Sequence, residues 1–289
     1  MRITDILRST SARIAVAILV VIALLTVVGP LIAPHDPYAQ DTAAMLQGPS
    51  PAHLLGTDEL GRDVLSRLLA GSPLSVISAL LAVLVGAALG VVPALLSVQL
   101  SRTFEWFALR VTDALMTLPF LVFAIAMTAL LGNGVPQAMV AVGILISPAF
   151  FRVARAAALS TARSQYVEAA ELMGASTGWV LRRHVWQQVL PAITVTAASM
   201  MGTALVVVAS LTFLGIGVVP PEPTWGGLLA GDLKYLYQRP AGPLAPAALI
   251  VATVWAFNAL ADALRDAQTL STRAPQPQNA ARTRQEVTA

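Results

Sequence analysis

The sequence predicts an all-α polytopic membrane protein with six transmembrane helices and both termini in the cytoplasm. Three observations carry that reading. Hydrophobic residues make up 56% of the 289 positions and charged residues only 11%, with a mean hydropathy of +0.73. Soluble domains carry about 25% charged residues, so this chain lacks the polar surface to cover a water-soluble globule. Six apolar runs are long enough to cross the ~30 Å hydrocarbon core of a bilayer. Fourteen of the eighteen basic residues then fall on one side of those runs, and the positive-inside bias makes that side the cytoplasm.

The first run is Ile14 to Pro34, preceded by Arg2, Arg8 and Arg13. Its apolar core is longer than that of a secretory signal, and no small-x-small site follows, so it reads as an uncleaved anchor. The second runs from Pro73 to Val98. The third, Ala114 to Leu131, is entered past Asp113. The fourth, Val135 to Phe151, is short and ends at Arg152. The fifth, Val189 to Val219, is long enough to include an interfacial portion, and the sixth is Leu244 to Ala261. The chain thus divides into an anchor with an outer segment (1–72), a core of five spans (73–268) and a tail (269–289). The tail is rich in Pro, Gln, Asn and Arg and is expected to be disordered.

Two outer segments are long. From Asp58, the residues Leu60, Val64, Leu65, Leu68 and Leu69 recur at helical spacing. Thr57 or Asp58 is a suitable N-cap. Arg62, Asp63 and Arg67 form the polar face, so residues 58–69 read as a helix lying along the membrane surface. Residues 220–243 begin with Pro220-Pro221 and carry Trp225, Tyr235 and Tyr237, aromatics suited to the interface.

The cytoplasmic segment 160–190 reads as helix, turn, helix. Ser164 is placed to cap the first helix, Gly174 to end it in a left-handed conformation, and Ser176 or Thr177 to cap the second. Tyr166, Ala170 and Gly174 lie four apart on one face. Glu168 and Glu171 flank it and could meet basic residues of a partner. An ordinary solvated loop is the competing reading.

Several functions are excluded or unsupported. A net charge of +3 gives nucleic acid no footprint. There is no Gly-x-x-x-x-Gly-Lys-Ser/Thr, and the single lysine, Lys234, follows Leu233, so the chain holds no P-loop for ATP. Cysteine is absent, and His35, His53 and His184 are scattered without metal-ligand spacing. No catalytic residue, metal ligand or cofactor of its own is expected. An ion-coupled secondary transporter would need acidic or basic relays inside its spans, and these spans carry almost none.

Glu168-Ala169-Ala170 followed by Gly174, then Ala175 and Ser176, resembles the EAA loop of ABC-transporter permeases. Gly56-Thr57-Asp58, Gly61-Arg62-Asp63-Val64-Leu65-Ser66-Arg67, Phe213-Leu214-Gly215-Ile216-Gly217, Pro220-Pro221, Thr224-Trp225-Gly226 and Phe257-Asn258 with Asp262, Leu264, Arg265 and Asp266 resemble the dipeptide/oligopeptide importer permeases, C-type subunit. The match runs from about residue 5 to 268. One departure is Trp186-Gln187 where the family places Leu-Pro; Leu190-Pro191 follows four residues later. The resemblance implies a type I importer permease fold in the inner membrane. It also implies a heterodimer with a homologous second permease, two ABC ATPase subunits that hold ATP and Mg2+, and an extracytoplasmic substrate-binding protein. The cargo would be di- or oligopeptides, or, in relatives of this type, glutathione or nickel complexes.

The implied roles are ATPase coupling for Tyr166, Glu168, Ala169, Ala170, Glu171, Gly174, Ala175 and Ser176. Asp58, Arg62, Asp63 and Trp225 are expected to face the binding protein. Asp113, within an Asp-x-Leu-x-x-x-Pro stretch that ends at Pro119, is a gate or structural residue, or simply a helix-end carboxylate paired with Arg110. Asn258 is expected to hydrogen-bond between helices.

Overall fold

Small residues bring the two central helices of this protein together. The computed structural model describes residues 9–162, 164–180, 183 and 185–273, which hold eleven α-helices and no β-ladder beyond one isolated bridge, Thr57 to Asp63. Helix α1 (Thr10–Val28) begins where the Ser9 hydroxyl accepts the Ala12 N–H at 3.1 Å. A short α2 (Val64–Ala70) leads through Gly71 into α3 (Ser72–Gln99). Helices α4 (Arg102–Thr117) and α5 (Phe120–Leu131) follow, then α6 (Val135–Ala162). The cytoplasmic α7 (Gln165–Leu172) and α8 (Thr177–Val180) precede α9 (Trp186–Phe213). An outer helix, α10 (Trp225–Lys234), and the last span, α11 (Leu244–Arg273), complete the chain.

The core lies between α3, α6 and α9, with α11 packed on α9 and α1 on α11. Along α3, Ala79, Ala82, Gly86, Gly90 and Ala94 are buried. Across from them, α6 offers Gly143, Ile146, Ser147 and Phe150. A Cβ on Gly86 would lie 2.5 Å from Ile146 Cγ1 and 3.0 Å from the Gly143 carbonyl; one on Gly143 would lie 2.5 Å from Val85 Cγ1. Lipid gives no hydrophobic drive between helices, so close backbone approach through small residues supplies the dispersion contacts that hold them.

Among the described residues, five helices are long and apolar enough to cross a membrane, and a sixth span forms only if α4 and α5 are counted together. The expected third span, Ala114 to Leu131, therefore falls across the break between these two helices. The two helices meet at 103°. Pro119 has no N–H and forces the residue before it out of the helical region; Leu118 accordingly sits at φ −76°, ψ 134°. Helix α5 alone, at 12 residues, is about 18 Å long, well short of the core. Helix α4 is amphipathic and rests Ala108 and Thr112 on the bundle while Trp106 and Phe107 face outward.

Three boundaries also move. Helix α6 continues through Arg152 to Ala162. Helix α9 stops at Phe213, and the stretch to Val219 turns through Gly215 and Gly217 at positive φ. Helix α11 runs to Arg273, into the segment expected as a tail; residues 274–289 lie outside the described residues.

The orientation has a direct check. Single cysteines at Ser50, Ser176 and Gln278, treated in sealed cells with an impermeant thiol reagent, should label only at Ser50. Labelling at Ser176 or Gln278 with none at Ser50 would reverse it.

Candidate functional site

On the cytoplasmic side, α6 ends at Ala162 and α7 begins at Gln165, leading into the α7–α8 turn. Gly174 takes φ +89°, and the Ala175 N–H reaches back to the Ala170 carbonyl at 3.0 Å. That six-residue closure satisfies an orphan carbonyl at the helix end and requires a left-handed residue, as the spacing predicts. The Ser176 hydroxyl accepts the Trp179 N–H at 3.4 Å at the start of α8. Ser164 differs from expectation: its hydroxyl donates backward to the Thr161 carbonyl, at 2.5 Å, instead of capping α7.

The loop has two faces. Val167, Ala170, Val180, Val185 and Val189 are buried in the subunit. Leu172 and Met173, at 84% and 82% exposed, stand outward with Trp179. Beside them Ser176, Gly178, Trp179, Arg183 and Gln187 line an open hollow of about 640 Å3. Ala170 therefore belongs to the inner face, contrary to the outward Tyr166-Ala170-Gly174 face expected from spacing alone. A Cβ at Gly174 would meet nothing within 4 Å. The side chains of Tyr166, Glu168, Ala169 and Glu171 lie outside the described residues.

Two ion pairs tie α4 to the cytoplasmic half of α6. Asp113 Oδ1 meets Arg152 Nη2 at 3.0 Å, and Glu105 meets Arg155. The expected Arg110 partner of Asp113 is instead placed 5.7 Å from the Trp106 ring. The Asp113 pair is about half exposed and contributes on the order of 0–1 kcal/mol. Asn258 turns its amide to the Val254 carbonyl of its own helix at 3.0 Å, not to a neighbour, and packs beside Gly202.

The outer face corrects the sequence reading most. Residues 58–69 are not one amphipathic helix. Asp58 Oδ1 accepts the N–H groups of Leu60 and Arg62 at 2.9 and 3.0 Å, Gly61 turns at φ +75°, and Asp63 starts α2 by accepting the Ser66 N–H at 2.8 Å. The charges point inward. Asp58, Arg62, Asp63 and Arg67 are all buried. Asp58 Oδ2 holds Arg62 Nε at 2.7 Å and Arg67 Nε at 3.5 Å, and Arg67 also donates to the Pro37 carbonyl at 3.0 Å. Arg239 binds the Leu55 carbonyl at 2.8 Å and that of Thr57. Buried charge is tolerated where it is paired and hydrogen-bonded, and here Arg67 and Arg239 rivet the two outer segments together.

Trp225 is fully buried; its backbone N–H binds Ser75 Oγ at 3.0 Å and its indole N–H the Leu68 carbonyl at 3.2 Å. None of the four residues expected to face a binding protein presents its side chain to solvent. The outer surface offers Leu60, Lys234 and Tyr237 instead. Sequence reasoning also missed His35 and His53, far apart in the chain, which the fold sets side by side against Asp63.

Asp232 on α10 has its carboxyl pushed up to about 6 by burial, which outweighs Arg239 at 3.7 Å. A carboxyl raised in the fold holds its proton longer than in the unfolded chain, so its contribution to stability falls as pH rises from about 4 through about 6. Asp232→Asn should flatten that fall. Thermal melts of the purified protein at pH 5 and pH 7.5 test it; an unchanged pH dependence would count against the assignment.

Comparison with known proteins agrees with this geometry. Residues 82–273 match the family model "Binding-protein-dependent transport system inner membrane component", and residues 4–49 match "N-terminal TM domain of oligopeptide transport permease C". The chain is 34% identical over 261 residues to the probable D,D-dipeptide transport system permease protein DdpC of Escherichia coli K12, covering 90% of this chain and 88% of that protein. It is 41% identical over 243 residues to the probable peptide ABC transporter permease protein y4tQ of Sinorhizobium fredii, covering 84% and 83%. It is 36% identical over 258 residues to the glutathione transport system permease protein GsiD of Escherichia coli O1:K1, covering 89% and 84%. A chain of the MetNI methionine ABC transporter, in inward-facing conformations, shares the fold with a TM-score of 0.55 at 17% identity, over 71% of this chain and 96% of that one.

Proposed function

This chain belongs to the family of binding-protein-dependent transport system inner membrane components, and on that premise we propose that it is one permease subunit of an ATP-driven importer of di- or oligopeptides. The names of its relatives support peptide cargo, and glutathione, itself a small peptide, fits the same reading. A homologous second permease would complete the pathway as a heterodimer. Two ABC ATPase subunits would hold ATP and Mg2+, and an extracytoplasmic substrate-binding protein would deliver the cargo.

The observation that carries the reading is the α7–Gly174–α8 turn at the foot of α6. Helix α6 has 28 residues, about 42 Å of continuous helix, and it is locked to α3 along the small-residue seam. A displacement of the turn by a closing ATPase would therefore reach the outer end of the bundle as a rigid-body movement. The exposed Leu172, Met173 and Trp179 supply an apolar docking patch, and the carboxylates of Glu168 and Glu171 supply charge for a basic partner. The buried Asp58, Arg62, Asp63 and Trp225 support the binding-protein surface from beneath. Asp113 and Pro119 set the elbow between α4 and α5.

Gentle solubilisation of the native complex, followed by mass spectrometry of partners and ligand, tests the proposal. Two ATPase chains, a second permease and a bound peptide are the expected result. A chain recovered without any ATPase would refute it.

A further inference from the structure

We propose that His35, His53 and Asp63 form an open, three-ligand site for a divalent transition-metal ion, Zn2+ being the best match, on the outer face of this subunit. Three separate stretches of chain converge there. Asp63 is the N-cap of α2. His53 ends a loop eleven residues before that helix, and its Nδ1 lies 3.0 Å from Asp63 Oδ1. His35 follows the first span; its backbone N–H is fixed on Ser66 Oγ at 3.0 Å, and its Nδ1 lies 3.8 Å from Asp63 Oδ2. The two imidazole centroids are 4.8 Å apart, and one ligand atom from each of the three residues falls within 4.8 Å of the others.

Charge balance points the same way. Asp63 is 3% exposed, yet among the described residues its carboxylate has no arginine or lysine partner. Arg62 and Arg67 are both committed to Asp58. Among the described residues, the basic side chains within 4 Å of Asp63 are the two histidine rings. Buried carboxylates are ordinarily paired or bound to metal, and a divalent ion would supply the missing positive charge.

The spacing suits zinc. Bonds of about 2.0–2.2 Å to His nitrogen and carboxylate oxygen place tetrahedral ligands about 3.3 Å apart; the 3.0 Å His53–Asp63 separation would open slightly, and the exposed His35 ring would move inward from its 3.8 Å. Binding would release the Nδ1 proton of His53 to solvent and hand its lone pair to the ion. Asp63 Oδ1 would ligate, while Oδ2 keeps the Ser66 N–H and hydroxyl at 2.8 and 2.6 Å, an outer shell that orients the carboxylate. The His35 side chain is 43% exposed, which leaves the fourth position open to water or to a ligand group from a docked protein. An ion there would clamp the strap after α1, the loop at His53 and the start of α2 into one unit.

The test uses the full-length protein in its complex, purified without a histidine tag and titrated with Zn2+ against a chromogenic chelator. One Zn2+ per chain is expected, with Co2+ giving a tetrahedral ligand-field spectrum. His35→Ala and His53→Ala should each weaken binding about tenfold or more and abolish the Zn2+-induced rise in melting temperature. His184→Ala should leave both unchanged. His35 lies at the surface, so its loss leaves the fold intact, which the melting temperature in chelator verifies. No stoichiometric binding by the wild type, or equal binding by His35→Ala, would overturn the site.

Discussion

Leucine at Gly174 should abolish ATP-dependent uptake while the subunit still reaches the membrane at normal levels. Gly174 sits at φ +89° with open space where a Cβ would go. The substitution therefore creates no clash within the subunit. It penalises the left-handed turn by about 1–2 kcal/mol, and it sets a branched side chain where a partner must dock. Glu168→Lys should reach the same end by reversing a charge on α7. Uptake and ATPase retention on purification are the readouts. Normal uptake in Gly174→Leu and Glu168→Lys would make the turn an ordinary solvated loop, and lost insertion would make it a folding element.

Leucine at Gly90 should have the opposite profile and remove the subunit from the membrane. A Cβ there would lie 2.7 Å from Phe150 Cβ and 2.9 Å from the Phe151 nitrogen, both on α6. Those atoms belong to backbone or to the root of a buried ring, so neither can swing aside. Overpacking of this kind costs about 1–3 kcal/mol, occasionally more, and here it pries apart the central seam. Steady-state protein should fall about tenfold, measured by immunoblot of membranes. Full levels of Gly90→Leu would mean that α3 and α6 do not meet through small residues.

The spans were legible because lipid imposes one demand, uncharged length. The Gly174 turn was legible because a helix end needs a left-handed residue and the sequence supplies one glycine at the right place. The small-residue seam was written at Gly86, Gly90 and Ala94 but is invisible to hydropathy, which averages over a window and does not report which face a residue occupies. The α4–α5 elbow was signalled by Pro119. Span counting joined the flanking runs because composition carries no bend.

The outer cap was misread for a different reason. Periodicity assigns charges to the wet face of a helix, and Arg62, Asp63 and Arg67 obeyed that pattern in sequence. Their actual burial depends on acceptors at Pro37 and Asp58 and on the donors of Ser66, Pro37 being thirty residues from the arginine it serves, and no local pattern reports those. His35 and His53 escaped notice for the same reason: metal spacing was sought along the chain, and the two rings meet only in space.

The central claim, that this chain is a passive half-channel driven by a separate ATPase, is tested most directly by reconstitution. Proteoliposomes holding the subunit with its second permease and two ATPase chains would be given binding protein and radiolabelled dipeptide. The account predicts uptake only with ATP, peptide-stimulated ATP hydrolysis, and no hydrolysis by the subunit alone. Uptake driven by a proton or sodium gradient in the absence of ATP would contradict it.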